Sequence, residues 1–331
     1  MRDALARGWV VAGCIALGAI SGLATAIGPA RAAGYPDHPV KIIVPFPAGG
    51  TADAVPRIIA EWLSRKWGQP VVIENHAGAG GNIGAELVYK SPPDGYTLLS
   101  APPPPLVVNQ NLYPNLAFDP TKFEPIIAMA QVPNSLLVNP NKVKAISLTE
   151  FIDDLKQHPD TVTAATQGNG TTSHLTTELF KLEAKVKVRT VPYRGSAPAL
   201  QDLLAGNVDM MFDNLGVSLA LVKAGKLRLL AVASAQRLAS LPDVPAMAEK
   251  LPGFESVAWY AIVAPPQTPK AIVEKINADV NEALADASVR ERLTKLSAEI
   301  FGGSVAKTTQ YMREEVGRWD GVIKAAHITL H

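Results

Sequence analysis

Cysteine is almost missing from this 331-residue chain, and Cys14, the single one present, falls in its first thirty residues. A chain without it has no disulfides, no thiol chemistry and no thiolate metal site. Charge of one sign is also lacking. Without the first 32 residues, which hold Arg2, Arg7 and Arg31 against Asp3, the 31 basic and 30 acidic residues fall to 28 and 29. No basic run interrupts that balance, which argues against a nucleic-acid partner. Six histidines are spread along the chain without clustering, so metal chemistry is not indicated. Long apolar runs are absent beyond the first one, so nothing after it reads as a membrane span.

That first run has a meaning of its own. Arg2 and Arg7 precede an uncharged stretch from Trp9 to Ile27, which closes on Ala30, Arg31 and Ala32. A basic start, an apolar middle and small residues at the exit describe a secretory signal peptide, with cleavage expected after Ala32. A permanent anchor needs about 18 apolar residues, but the Ala and Gly content and the small-residue exit favour cleavage. Val11 to Cys14 resembles a lipobox, yet the apolar run mostly follows the cysteine, the reverse of that signal. The remainder, about 300 residues, suffices for one or two cores held together by burial alone.

Strand and helix patterns then alternate. Val40 to Phe46 is a nearly continuous apolar run, as in a strand buried on both faces. Val55, Ile58, Ile59, Trp62 and Leu63 recur at helical spacing, with Pro56 expected in the first turn. Further strands are expected at Val71–Ile73, Tyr96–Ser100, Thr161–Thr166, Val186–Val191, Val208–Asp213, Leu227–Ala233 and Ala258–Ala264. The last sixty residues read as a pair of helices without strands, one striped by Ile272, Val273, Ile276, Val280 and Leu284, the other by Met312, Val316, Trp319 and Ile323. Repeated β-loop-α units predict parallel sheets wrapped by helices, in two α/β lobes joined by crossing segments near 132–139 and 255–264.

Three glycine-rich loops follow expected strands, where open α/β sheets bind ligands. Pro47 to Thr51 leads into a helix N-terminus, whose free N–H groups attract an anion, and Asp53 in that first turn complements the helix dipole. Gly78, Gly80 and Gly84 fit a G-x-G-x-x-x-G dinucleotide pattern, the main argument for a nucleotide-dependent oxidoreductase. It is weak, because the glycines follow the second strand and no ribose-binding acid is evident. Gln167 to His174 is the third loop. Ser173 beside His174 invites a hydrolase reading, but no G-x-S-x-G elbow exists; His174 with Glu178 lacks a third metal ligand. What remains is a set of helix N-termini suited to a carboxylate, with no nucleophile–base constellation, and so capture rather than catalysis.

The sequence resembles the substrate-binding proteins of the tripartite tricarboxylate transporter systems, the Bug receptors. The resemblance rests on Val44–Asp53 (VPFPAGGTAD), Glu74–Gly84 (ENHAGAGGNIG), Asp94–Leu98 (DGYTL), Gly168–Leu175 (GNGTTSHL), Val191–Leu200 (VPYRGSAPAL), Asp202–Asp209 (DLLAGNVD) and Leu241–Pro245 (LPDVP), completed by Trp259 and Ala264-Pro265. It implies a two-lobed type II periplasmic-binding fold of mixed, mostly parallel sheets. Lobe one would be 33–135 plus 260–331 and lobe two 136–259, hinged over one small carboxylate. It also implies delivery of that carboxylate to a two-subunit membrane permease, by a periplasmic protein that is not an enzyme and uses no cofactor; a monomer is expected, since no extra apolar face is evident. A solute sensor docking a signalling protein would look the same in sequence.

Carried over residue by residue, the site would take Phe46, Ala48, Gly49, Gly50, Thr51, Asp53, Gly80, Gly81 and Asn82 from lobe one. Gly168, Asn169, Gly170, Thr171, Thr172 and His174 would face them, with Gly195, Ser196 and Asp213 as additions. Arg194 reads as a ligand counter-ion or as an exposed residue of the turn after Tyr193, the second being the plainer choice. One departure concerns Ala101 to Leu106, with four prolines where the family has a donor-rich loop. It points to a less polar distal pocket and so to an aromatic or longer-chain acid.

The intact mass of the exported protein tests the leader: a chain beginning at Ala33 is expected, and a species still containing Cys14 would reject the cleavage.

Overall fold

The computed structural model describes residues 34–326 together with 328 and 329. The expected leader, its cleavage after Ala32 and Cys14 lie outside the described residues.

The elements begin with β1 (Val40–Val44), α1 (Thr51–Trp67), β2 (Val71–Asn75), α2 (Asn82–Tyr89) and β3 (Thr97–Ala101). β4 (Glu124–Val138), α3 (Leu148–Gln157), β5 (Thr163–Thr166), α4 (Thr172–Ala184), β6 (Arg189–Pro192), α5 (Ser196–Ala205), β7 (Met210–Asn214), α6 (Leu215–Lys223) and β8 (Arg228–Val232) follow. The chain ends with β9 (Val257–Ala264), α7 (Lys270–Ala285), α8 (Ala287–Lys295), β10 (Glu299–Ile300) and α9 (Val305–Ala325). Strands pair in the order β2-β1-β3-β9-β4-β7-β5-β6, with β8 and β10 also on β4. β1 is parallel to β2 and β3, and β5 to β6 and β7. Pairing with β4 and β9 is antiparallel.

The expected two-lobed fold with two crossing segments is present. β4 carries one crossing and β9 the other. β4 pairs with β9 from Glu124 to Pro133, then with β7 from Asn134 to Val138. At the change of partner the Asn134 N–H donates to the Ser256 carbonyl (3.0 Å), while Ala233 N–H donates to Asn134 O and Ser256 N–H to Ala233 O, each at 2.7 Å. The β4 run of apolar residues is interrupted by Gln131, Pro133 and Asn134, which is why sequence periodicity hides it.

Two expectations need correction. α1 starts at Thr51, so Pro56 lies in its second turn rather than its first; one backbone hydrogen bond is forgone in exchange for an early helix start at the Gly49–Gly50 turn. The C-terminal region is not a strandless helix pair: α8 and β10 intervene, and β10 adds to β4 through Glu299↔Gln131 and Ile300↔Ala130. Two residues are too few to show a period in sequence.

The last helix, α9, is fixed to β9 by a buried carboxylate. Glu315 of α9, almost fully buried, accepts the Trp259 indole N–H at 2.7 Å and the Trp319 indole N–H at 3.0 Å, and pairs with Arg318 at 2.9 Å. An orphaned buried donor costs about 1–3 kcal/mol. Glu315→Leu is therefore expected to lower the unfolding free energy by roughly 2–5 kcal/mol. Glu315→Gln, which retains a carbonyl acceptor, should lose less than half of that; denaturant titrations of the two variants check the order.

Candidate functional site

The C-terminal ends of β1, β2, β5 and β6 open onto one cleft of about 660 Å³. Lobe one lines it with Phe46, Pro47, Ala77 to Gly81, Ile83 and Tyr113; lobe two supplies Gln167 to Asn169 and Pro192 to Gly195. The cleft has an inner end and a mouth. Phe46, Gly81, Gln167 and Gly195 are buried, whereas Ala77, Ala79, Asn169, Pro192 and Arg194 are exposed.

Two helix starts reach the inner end, those of α2 at Gly81 and α5 at Gly195, and the start of α1 lies beside them at Gly50. α1, α2 and α5 begin after Gly50, Gly81 and Gly195, and none of the three has a side chain capping its first turn. Uncapped N–H groups at a helix N-terminus carry the positive end of its dipole and favour an anion. α4 differs, because Thr171 caps it by accepting the His174 N–H at 3.3 Å. The lobes touch here: a Cβ on Gly50 would lie 3.3 Å from Ser196 Cβ, and one on Gly195 would lie 2.9 Å from Pro47 Cδ. Gly195 also has a φ of 107°, which a side chain would strain.

Several expected site residues support this cleft from behind. Asp53 is buried and accepts from Arg57, from Asn75 Nδ2 at 2.9 Å and from Gly49 N–H at 3.1 Å. Burial would raise its carboxyl, but these donors outweigh it and hold the group below the usual range. Asn75 reaches on to the Phe46 carbonyl (2.9 Å), so Asp53 pins the first loop and does not line the cleft. Thr51 is buried and donates to the Asn214 carbonyl at 3.3 Å. Ala48 and Gly49 lie exposed beside α5, with a Cβ on Gly49 3.7 Å from Ala197 Cβ. Asn82 accepts from Asn109 Nδ2 at 2.6 Å.

In lobe two Gly168 and Asn169 face the cleft, and Gly170, Thr171, Thr172 and His174 stand behind them. His174 Nδ1 accepts the Gly170 N–H at 3.2 Å, and burial lowers the imidazole's proton affinity. Its Nε2 lies 3.9 Å from Glu178. Ser173 donates instead to the Phe212 carbonyl (2.5 Å), so serine and histidine form no nucleophile–base pair. Ser196 and Asp213 also lie behind the wall: the Ser196 hydroxyl donates to Asp213 Oδ1 at 2.5 Å, and Gln167 Nε2 to the same oxygen at 2.8 Å.

Of the expected residues, then, Phe46, Gly80, Gly81, Gly168, Asn169 and Gly195 are brought together on the cleft surface. Gly84 serves packing, since a Cβ there would meet Pro45 Cα and His76 O at 2.9 Å. The four-proline segment does not line the cleft. It forms a buried helical turn (Pro104–Val108) whose Pro105 backs Gly81. Reading the sequence misses Tyr113, Ile83 and Gln167. Tyr113 stands some thirty residues beyond the loop it joins, and no local pattern marks it.

The chain is similar to known proteins over most of its length. Residues 55–328 match the model of the tripartite tricarboxylate transporter family receptor. Protein BugT of Bordetella pertussis is 38% identical over 299 residues, covering 89% of this chain and 91% of that protein. The structure of R. palustris Rpa4515 with adipate is 39% identical with a TM-score of 0.87, covering 89% of this chain and 99% of that one. MatC from Rhodopseudomonas palustris with bound malate is 35% identical with a TM-score of 0.82, covering 87% and 100%.

Asp213 supplies a pH test. Burial pushes its carboxyl up, only partly offset by hydrogen bonds from Ser196 and Gln167, and Oδ2 has no partner among the described residues. A group whose folded pKa lies above its unfolded one loses its stability contribution as pH rises. Asp213→Asn is expected to match wild-type melting temperature near about pH 4 and to exceed it increasingly as pH climbs; a gap independent of pH would refute the buried-charge account.

Proposed function

The chain belongs to the tripartite tricarboxylate transporter receptor family, and on that premise we propose that it captures a small organic carboxylate between its lobes, 33–135 plus 260–331 and 136–259. It delivers this cargo unaltered to a two-subunit membrane permease. The observation that carries the reading is the meeting of two uncapped glycine N-caps, Gly81 from lobe one and Gly195 from lobe two, at the buried end of one cleft. Backbone N–H groups hold a carboxylate without a buried counter-charge, and charge-assisted bonds of this kind are stronger than neutral ones. Because the donors come from both lobes, an anion there draws the lobes together, the differential affinity that couples ligand to closure. The protein acts as a periplasmic monomer after cleavage at Ala32.

The cargo is an aromatic or longer-chain acid in preference to malate or citrate. Phe46, Ile83 and Tyr113 supply apolar surface beyond the amide end, and they support this preference where the buried proline turn does not. Relatives solved with adipate and with malate show that receptors of this fold hold carboxylates of different length.

A thermal-shift screen of the chain from Ala33 onward, against carboxylic acids with NADH and NADPH as controls, tests both statements. Ligand binding only to the folded state raises the melting temperature with concentration. A concentration-dependent shift with longer or aromatic acids is expected. Shifts with short polar diacids alone would sink the size preference, and a shift with a nicotinamide cofactor alone would replace the receptor by an enzyme.

A further inference from the structure

A second concavity, of about 380 Å³, lies on lobe one between the turn Pro104–Val108, the segment 120–125 and α9. It shares no lining residue with the cleft. Its floor is apolar. Leu106, Val107, Phe123 and Met312 are buried members of one core, and Val316 packs against them half-buried.

The polar groups around that floor are mostly committed. The Thr121 hydroxyl donates to Asp119 Oδ1 at 2.6 Å, the Thr309 hydroxyl to the Val305 carbonyl at 2.9 Å, and Glu124 accepts the Gln267 N–H at 3.3 Å. Two cations are not. Lys122 and Arg313 both line the groove exposed, and neither makes a hydrogen bond or an ion pair among the described residues. Asp119, which attracts Lys122, is taken by the N–H and hydroxyl of Thr121. The other cations of α9 are all partnered: Lys307 donates to the Phe301 carbonyl, Arg318 pairs with Glu315 and Lys324 with Asp320.

Size and charge decide what such a groove takes. A stable protein partner covers about 800 Å² on each side, whereas small-molecule clefts run from about 300 to 1,000 Å³, the range this one falls in. A second copy of the chain would set like charges at the rim against each other. An apolar floor suits an aliphatic tail, and two unpaired cations favour an anionic head.

We propose that the groove is a second ligand site, which takes one aliphatic monocarboxylate with its tail on Val107, Phe123, Met312 and Val316 and its head at Lys122 and Arg313. The site is independent of the cleft and of its cargo. Leu106 and Val107 belong to the turn whose Pro105 backs Gly81, so a tail seated here packs on the segment that supports the cleft wall.

Methyl NMR spectra of the exported protein, labelled at methionine and isoleucine, read the two sites separately through Met312 in the groove and Ile83 in the cleft. The probes are decanoate, decanol and decyltrimethylammonium, each below micelle formation. Decanoate is expected to shift Met312 saturably, decanol to bind about tenfold more weakly, and the ammonium not to bind. Lys122→Glu combined with Arg313→Glu should weaken decanoate by about tenfold or more and leave decanol unchanged; Val316→Asp should weaken both. Unchanged melting temperatures of the free variants exclude a folding defect. A Met312 signal that decanoate leaves unmoved, that the ammonium moves as strongly, or that responds equally in the charge-reversed variant would overturn the site. Decanoate moving Ile83 alone would assign it to the cleft, overturning the groove site and leaving the receptor reading standing.

Discussion

A buried chain of hydrogen bonds runs from the crossing of the lobes to the floor of the cleft, and the working parts hang on it. Thr176 bonds Ser256 (2.5 Å), Asn134 Nδ2 donates to Ser256 Oγ (3.0 Å), and Asn214 Nδ2 donates to Asn134 Oδ1 (3.0 Å). Gln167 Nε2 then bridges Asn214 Oδ1 at 3.1 Å and Asp213 Oδ1 at 2.8 Å, and Ser196, the first residue of α5, closes the series on Asp213. Polar groups this deeply buried are costly unless paired, so the network fixes one arrangement of β4, β7, β9 and the loops beside them. Asn134 is the position where β4 leaves one sheet for the other, so the residue that defines the crossing also orients Gln167 in the cleft wall.

That placement explains why so much of the conspicuous polar chemistry is not in the cleft. Asp53, Thr51, Thr171, His174, Ser196 and Asp213 each hold a backbone segment or another side chain in position. The surface left to the ligand is mainly glycine backbone and apolar side chains. Two helix dipoles, those of α2 and α5, act there on preorganised N–H groups that need no side-chain reorganisation on binding. A cleft of this kind fixes one carboxylate by shape and amide direction, and leaves discrimination among ligands to the few side chains that reach in.

The reach of sequence reading varies with the range of the physics involved. The Gly-rich turns after β1, β2 and β5 were readable because a strand's apolar run, a glycine turn and a helical stripe are local patterns, and each loop was set correctly at a strand's C-terminal end. Pro56 and β10 were not, the first because the helix start depends on where the Gly49–Gly50 turn closes, the second because a two-residue strand exists only through its pairing with β4. The proline segment reads as a donor-poor loop of a less polar pocket; its burial as a helical turn behind Gly81 follows from packing that no local pattern encodes.

By itself the sequence determined the alternating α/β plan, the family and the glycine helix starts, since these rest on residue type and spacing of a few positions. Only the tertiary structure decided which of the marked residues face the cleft and which stand behind it. It alone brings Tyr113 beside Gly80 and leaves Arg194 unpaired at the mouth. Those outcomes depend on which partner each polar group finds across the fold, and such pairings join residues far apart in sequence.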